Sequence, residues 1–208
     1  MVYLPPAFTE ARPEVLTEHI DRHDFGLLVS HGPAGLVASH IPFLMERDGD
    51  EVHLHGHLAR PNPQVGDLDR GGEVLVIFGG PHAYISPSWY EDGPSVPTWN
   101  YADVHAYGTA RLVEDADWLR DLLIRLSERH EAGNRRPWRM QSLPESYVEG
   151  MLKGIVGLDI AVTRLEGKYK LGQNRPAGDR PRVIAALESR GDDDAIAIAR
   201  LMRERQPV

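Results

Sequence analysis

The sequence predicts a β-rich α+β fold, a barrel or sandwich with helices at its margins. Three observations carry that expectation. Twenty glycines and sixteen prolines among 208 residues cut the chain into short segments, as turn-rich β folds require. Between those breaks, apolar residues alternate with polar ones or run in short Val/Ile/Leu/Phe blocks, which is the signature of strands. Helix-period stripes are fewer and flank the strand segments. The length suffices for one domain with a sizeable core.

In chain order, Pro13 to His23 carries Val15, Leu16, His19 and Ile20 on one helical face, and Pro13 suits a first turn, where its missing N–H costs nothing. Phe25 to Ser30, Gly35 to Met45, Glu51 to His57 and Glu73 to Phe78 read as sequential antiparallel strands. His31-Gly32-Pro33 makes the first turn between them. A short helix is expected from Pro63 to Asp69. Asn100 to Glu114 alternates around Tyr101, Val104, Ala106 and Gly108, and Gly157 to Leu165 repeats that alternation. Asp115 or Asp117 can cap a helix whose Trp118, Leu119, Leu122, Leu123 and Leu126 form an apolar stripe. Another helix is expected at Pro144 to Leu152, after an exposed loop at Arg135 to Arg139. Arg180 to Ser189 and Asp193 to Arg203 read as a terminal helical pair broken at Arg190-Gly191-Asp192. The expected division is a main domain over 1–178 and a helical extension over 179–208 packed on it.

Composition excludes several classes. A net charge of −8 argues against a non-specific nucleic-acid binder, which needs a basic footprint. No apolar run approaches the roughly 18 to 20 residues that span a bilayer, and the first residues lack a basic segment followed by an apolar one. A cytoplasmic protein is expected. Zero cysteines removes disulfides, thiolate nucleophiles and Cys-ligated metals. Phosphate-binding loops, dinucleotide fingerprints, nucleophile elbows and His-Glu-x-x-His are all missing from the sequence.

Three clusters could carry chemistry. Seven of the fifteen aromatics fall between Phe78 and Tyr107, held by prolines and interleaved with Ser, Thr and Asn. Such rings suit stacking on a planar ligand, or equally a packed interface loop. His53, His55 and His57 share one strand face at period two. Without an acidic ligand at recognisable spacing they are expected to be polar strand histidines rather than a metal site. Arg60, beside the free N–H groups of a helix starting near Pro61, would welcome a phosphate. Lys168 to Pro176 makes a positive spot around a glycine-containing turn, either a solvated loop or part of an anion site.

The motifs Tyr3-Leu4-Pro5-Pro6-Ala7-Phe8, His40-Ile41-Pro42-Phe43, Gly56-His57-Leu58-Ala59-Arg60-Pro61-Asn62-Pro63, Gly80-Pro81-His82-Ala83-Tyr84-Ile85-Ser86-Pro87-Ser88-Trp89-Tyr90, Val96-Pro97-Thr98-Trp99-Asn100-Tyr101 and Lys170-Leu171-Gly172-Gln173-Asn174-Arg175 span nearly the whole chain in order. Together they resemble the PaiB-type family of FMN-binding negative transcriptional regulators. Pro61 and Gly172 depart from it, standing where the family favours alanine and serine. The resemblance implies a split β-barrel of the pyridoxamine-phosphate-oxidase-like kind, a homodimer with FMN in the trench between subunits. It implies that His57 and Arg60 face the phosphate, and that Ser39, His40 and Ile41 run beside the flavin. Trp99, Asn100 and Tyr101 would cover or line the ring, and Lys170, Gln173 and Asn174 would close the site. No metal and no catalytic residue are assigned.

The regulator role brings DNA in as a partner. The terminal helical pair has the length of a helix-turn-helix, and Arg200, Arg203 and Arg205 could approach phosphates. Asp192-Asp193-Asp194 opens the second helix, however, where carboxylates would repel DNA and are better explained as a cap. The rival functions are a flavin-dependent oxidoreductase of a small substrate and a haem-binding split barrel.

Overall fold

The computed structural model describes residues 2–49, 51–91 and 93–205; Met1 and residues 206–208, the ends of the two expected segments, lie outside them. Its strands are β1 (Thr9–Glu10), β2 (Phe25–Gly32), β3 (Gly35–Pro42), β4 (Leu44–Asp48), β5 (Glu51–Ala59), β6 (Glu73–Ile85), β7 (Thr98–Val113) and β8 (Ile155–Lys170). The helices are α1 (Pro13–Arg22), α2 (Gln64–Asp69), α3 (Ala116–Glu131), α4 (Glu145–Leu152), α5 (Asp179–Arg190) and α6 (Asp193–Glu204). One sheet runs β3-β2-β6-β7-β8-β5-β4 and does not close, with β1 on β8. The pairs β1·β8, β2·β3, β2·β6, β4·β5 and β5·β8 are all antiparallel.

The chain divides into two compact units, each made of separate stretches: residues 2–19, 79–105 and 166–205 in the first, and 20–78 and 106–165 in the second. The long strands β6, β7 and β8 begin in one unit and end in the other.

In the second unit, β5 shows why its sequence alternates. Leu54, Gly56 and Leu58 are buried on one face, and His53, His55 and His57 are half-buried on the other. Gly56 lets two core side chains approach closely, since a Cβ there would meet Ile41 and Phe43 at 3.2 and 3.3 Å, and Phe43 packs edge-on against Phe78 with centroids 5.8 Å apart. Burying such a pair stabilises the unit by about 1.5–3 kcal/mol per ring. The expected strand Gly35 to Met45 is in fact two strands, broken at Phe43, whose side chain turns into the core while its N–H donates to Asp24 O at 2.9 Å. α3 starts where its cap predicts: Asp115 Oδ1 accepts from Trp118 N at 2.7 Å. Its stripe of Leu119, Leu122 and Leu126 is buried, with Leu119 against Met140, Val148 and Leu152 around α4.

In the first unit, two strands outrun their sequence signals. β6 continues through Gly79-Gly80-Pro81 to Ile85, because Gly80 marks a close approach rather than a turn: a Cβ would lie 2.5 Å from Ala102 O and from the His19 ring. β8 continues to Lys170, so Lys168 and Tyr169 are buried strand residues rather than members of a turn. Gly167 lets β1 and α1 close on it, since a Cβ would meet Glu10 O at 2.8 Å. α5 ends at Gly191, which takes the left-handed φ of 74° that glycine adopts without strain. Asp192 then caps α6 by accepting from Ala195 N at 2.9 Å. Apolar Ala195, Ile198, Ala199 and Met202 bury the helix.

Candidate functional site

The sequence-predicted site residues fall in both units, and each group is described within its own. In the second, Ser39, His40 and Ile41 lie on β3. Alternation turns Ser39 and Ile41 to one face and exposed His40 to the other, where its ring stacks on Phe25 with centroids 5.8 Å apart. Ser39 Oγ accepts from Asn62 Nδ2 at 3.0 Å, and Asn62 Oδ1 accepts from Gln64 N at 2.9 Å. Asn62 thus ties β3 to the start of α2. The N–H groups expected to be free beside Arg60 are in use: Gln64 N reaches Asn62 Oδ1, Val65 N reaches Asn62 O and Gly66 N reaches Pro63 O. Arg60 itself is 42% exposed and donates to Glu114 Oε1 at 2.8 Å, Ile155 O at 3.0 Å and Lys153 O at 3.2 Å.

His57 is the exception among these engaged groups. Its Nδ1 is buried with no hydrogen-bond partner, and burial lowers the imidazole's pKa, so the ring favours its neutral form. A buried polar atom left unpaired costs about 1–3 kcal/mol, which a ligand hydrogen bond would recover.

The other two β5 histidines are not isolated. Register sets His55 opposite Asp159 of β8. His53 Nδ1 lies 2.7 Å and His55 Nε2 3.3 Å from Asp159 Oδ1, while Arg111 donates to Oδ2 at 2.8 Å. The Trp118 ring covers His55 edge-on at 5.2 Å. Burial pushes the Asp159 carboxyl up, but the bonds from His53 and Arg111 more than offset it and hold it below the usual range. The Asp159 bond raises His53, while burial lowers His55. Sequence spacing could not show this cluster, because Asp159 arrives through strand pairing from 104 positions beyond His55.

In the first unit, β7 alternation separates the three residues expected to act together on the ring. Asn100 is buried on one face, while Trp99 and Tyr101 point to the other. Trp99, 52% exposed, meets the rings of Tyr84 and His82 with centroids 6.0 and 5.9 Å away. Tyr101 has the Lys168 ammonium over its face at 5.6 Å. Asn100, Lys170 and Asn174 line a cavity of about 190 Å³ together with Tyr90, Arg175 and Arg180. That volume is below the ~300–1,000 Å³ of drug-sized sites. Lys170 donates to Thr98 Oγ1 and, at 2.8 Å, to Trp99 O; burial lowers its pKa, with Lys168 adding repulsion. Gln173 spends its amide on the local backbone, Nε2 to Tyr169 O at 2.5 Å and Oε1 from Leu171 N at 2.7 Å.

Two arginines not assigned to the cofactor, Arg175 of the positive spot and Arg180 beyond it, line this cavity. Arg175 lies 3.8 Å over the Tyr90 ring and forks onto Asp179 at 2.8 and 3.0 Å. Buried Arg180 donates to Leu171 O, Met202 O and Arg205 O at 2.6, 2.7 and 2.8 Å. Arg175 closes the last motif quoted for the resemblance, which is the signal that could have found it.

An open antiparallel sheet with flanking helices of this order is the split-barrel architecture that the sequence predicts. The structure is similar to the flavocytochrome Anf3 from Azotobacter vinelandii, with TM-score 0.55 and 13% identity over 78% of this chain and 69% of that one. It is similar also to the FAD and heme binding protein from Mycobacterium smegmatis, with TM-score 0.54 and 19% identity over 78% and 73%. The family model described as "Putative FMN-binding domain" matches residues 2–164. The chain is 36% identical to protease synthase and sporulation protein PAI 2 of Bacillus subtilis, over 98% of both chains. It is 34% identical to protein AN0679 of Emericella nidulans, over 98% of this chain and 97% of that one. The chain therefore belongs to the PaiB-type FMN-binding family, and FMN is its cofactor.

The residues present fit that group. FMN brings a dianionic phosphate and a flat ring with polar atoms along one edge. The second unit offers an arginine at partial exposure in Arg60 and an orphaned imidazole nitrogen in His57; the first, taken by itself, offers a half-exposed indole in Trp99.

Proposed function

We propose that this protein is an FMN-loaded negative regulator of gene expression of the PaiB type, working as a cytoplasmic homodimer. The observation that carries the reading is the full-length likeness to PAI 2, whose name ties it to protease synthesis and sporulation. An alignment of 204 residues extends past residue 164, where the family model ends, and so runs into the terminal helical pair. On this reading His57 and Arg60 hold the FMN phosphate, and Ser39, His40 and Ile41 lie along the flavin. Trp99, Asn100 and Tyr101 cover or line the ring, and Lys170, Gln173 and Asn174 close the site, as the resemblance implies. Bound flavin supplies redox chemistry; the chain's residues bind and orient it.

One observation favours the rival enzyme reading. The α6 cations are neutralised within the chain, Arg200 by Glu204 at 2.8 Å and Arg203 by Glu188 at 2.9 Å, and Asp192, Asp193 and Asp194 stand at the helix start. Such a helix is a poor reader of a phosphate-lined groove. The deciding experiment pairs FMN titration with a gel shift on the protein's own upstream DNA over a salt series. The regulator reading expects flavin uptake together with retardation that persists at physiological salt. Flavin uptake with no such retardation overturns the regulator reading and favours an FMN-dependent oxidoreductase of a small substrate.

A further inference from the structure

We propose that His53, His55 and Asp159 form a binding site for a divalent transition-metal ion, with zinc as the reference ion and at least one coordination position open. This site is separate from the flavin reading and does not rest on it. Three donor atoms converge: one from each of His53, His55 and Asp159 lie within 4.8 Å of one another, and Asp159 Oδ1 stands 2.7 Å from His53 Nδ1 and 3.3 Å from His55 Nε2. Ligand atoms about 2.0 Å from a tetrahedral ion stand about 3.3 Å apart, so small rotations of the two rings suffice to admit one. Two imidazoles and one carboxylate suit zinc, cobalt, nickel or copper, and do not suit calcium or magnesium, which take oxygen.

What separates this cluster from an ordinary ion pair is the support behind each donor. In metal sites the far nitrogen of a ligating histidine faces a carboxylate or carbonyl, and ligating carboxylates are themselves held. Here His53 turns Nε2 towards Glu51 Oε2 at 3.6 Å, and His55 turns Nδ1 towards Glu46 Oε2 at 3.5 Å. Arg111 takes Asp159 Oδ2 and leaves Oδ1 to the two rings. Asp159, Glu46 and Glu51 bring three negative charges, of which Arg111 and Arg125 offset two. The side chains of His53, His55 and Asp159 are 23%, 13% and 12% exposed, sheltered enough to strengthen coordination and open enough for an ion to enter.

The test is equilibrium dialysis of the full-length protein against Zn²⁺ alone, with metal and protein counted by mass spectrometry, and Co²⁺ substitution to read ligand-field bands of four- or five-coordinate cobalt. Wild type is expected to retain one ion per chain. The His53→Gln/His55→Gln double variant should lose it, and Glu46→Gln should weaken it by about tenfold. Because Asp159 also anchors Arg111, Asp159→Asn could fail to fold. The double variant leaves the Asp159–Arg111 pair in place and keeps the test decisive, with circular dichroism and FMN uptake expected to match wild type. Retention of zinc by the double variant, or no retention by wild type, would overturn the proposal.

Discussion

Arg60 illustrates how one side chain can be spoken for and still be the candidate for a ligand. Its guanidinium is held by two carbonyls and by Glu114, so a phosphate would have to displace the Glu114 carboxylate. Arg60→Ala is therefore expected to weaken FMN by about 1.5–3 kcal/mol, the range for hydrogen bonds to charged groups, while Glu114→Ala should tighten it. Flavin fluorescence titration of both variants checks the pair of signs, and unchanged affinity in the first removes Arg60 from the phosphate. Glu10 makes a prediction about acid. Burial raises its carboxyl, but the Arg12 hydrogen bonds and the Arg205 charge prevail and hold it below its ordinary value of 4.5. A carboxyl lowered on folding contributes stability that is fully present above the unfolded value and is lost as pH falls through the folded one. Glu10→Gln should thus flatten the loss of stability below about pH 4.5, read from urea midpoints across a pH series.

At the scale of elements, a buried cation helps to fasten the terminal helix pair. Arg180 of α5 satisfies carbonyls at the end of α6 and of β8, where the helix dipole favours positive charge. Arg180→Leu leaves those buried acceptors unpaired at about 1–3 kcal/mol each. The chain should then lose at least about 2 kcal/mol, with α6 exchanging its amide protons first. Much at this scale was legible in the sequence. The Asp115 cap, the α3 stripe, the Gly191 break and the His face of β5 follow from local spacing, and the structure has them. The ends of β6 and β8 were not legible, because Gly80 and Gly167 look like breakers until the backbones that press on them are known. Nor was Asp159 legible as the partner of His53 and His55, since only the β5·β8 register brings it there. The same limit hid the division of Trp99, Asn100 and Tyr101 between two sheet faces: the motif is contiguous, but a strand alternates.

For the molecule as a whole, an acidic surface and paired arginines leave little to attract DNA non-specifically. Among the described residues no helix is long and apolar enough to cross a membrane. The exposed rings of Trp99 and Tyr84, in contact with each other, are the kind of aromatic pair that association covers. On the homodimer proposal, Trp99→Ala is expected to shift sedimentation towards monomer while leaving the melting transition of dilute protein in place. A variant that sediments like wild type would separate Trp99 from assembly.

The three long strands shared by the two units also limit how the protein can be taken apart. Since neither unit is one continuous run of chain, no shortened gene encodes either alone, and a protease cutting at a loop tip would free no self-sufficient half. Native pairings between distant stretches must form before either unit exists, so folding of each is expected to be slow.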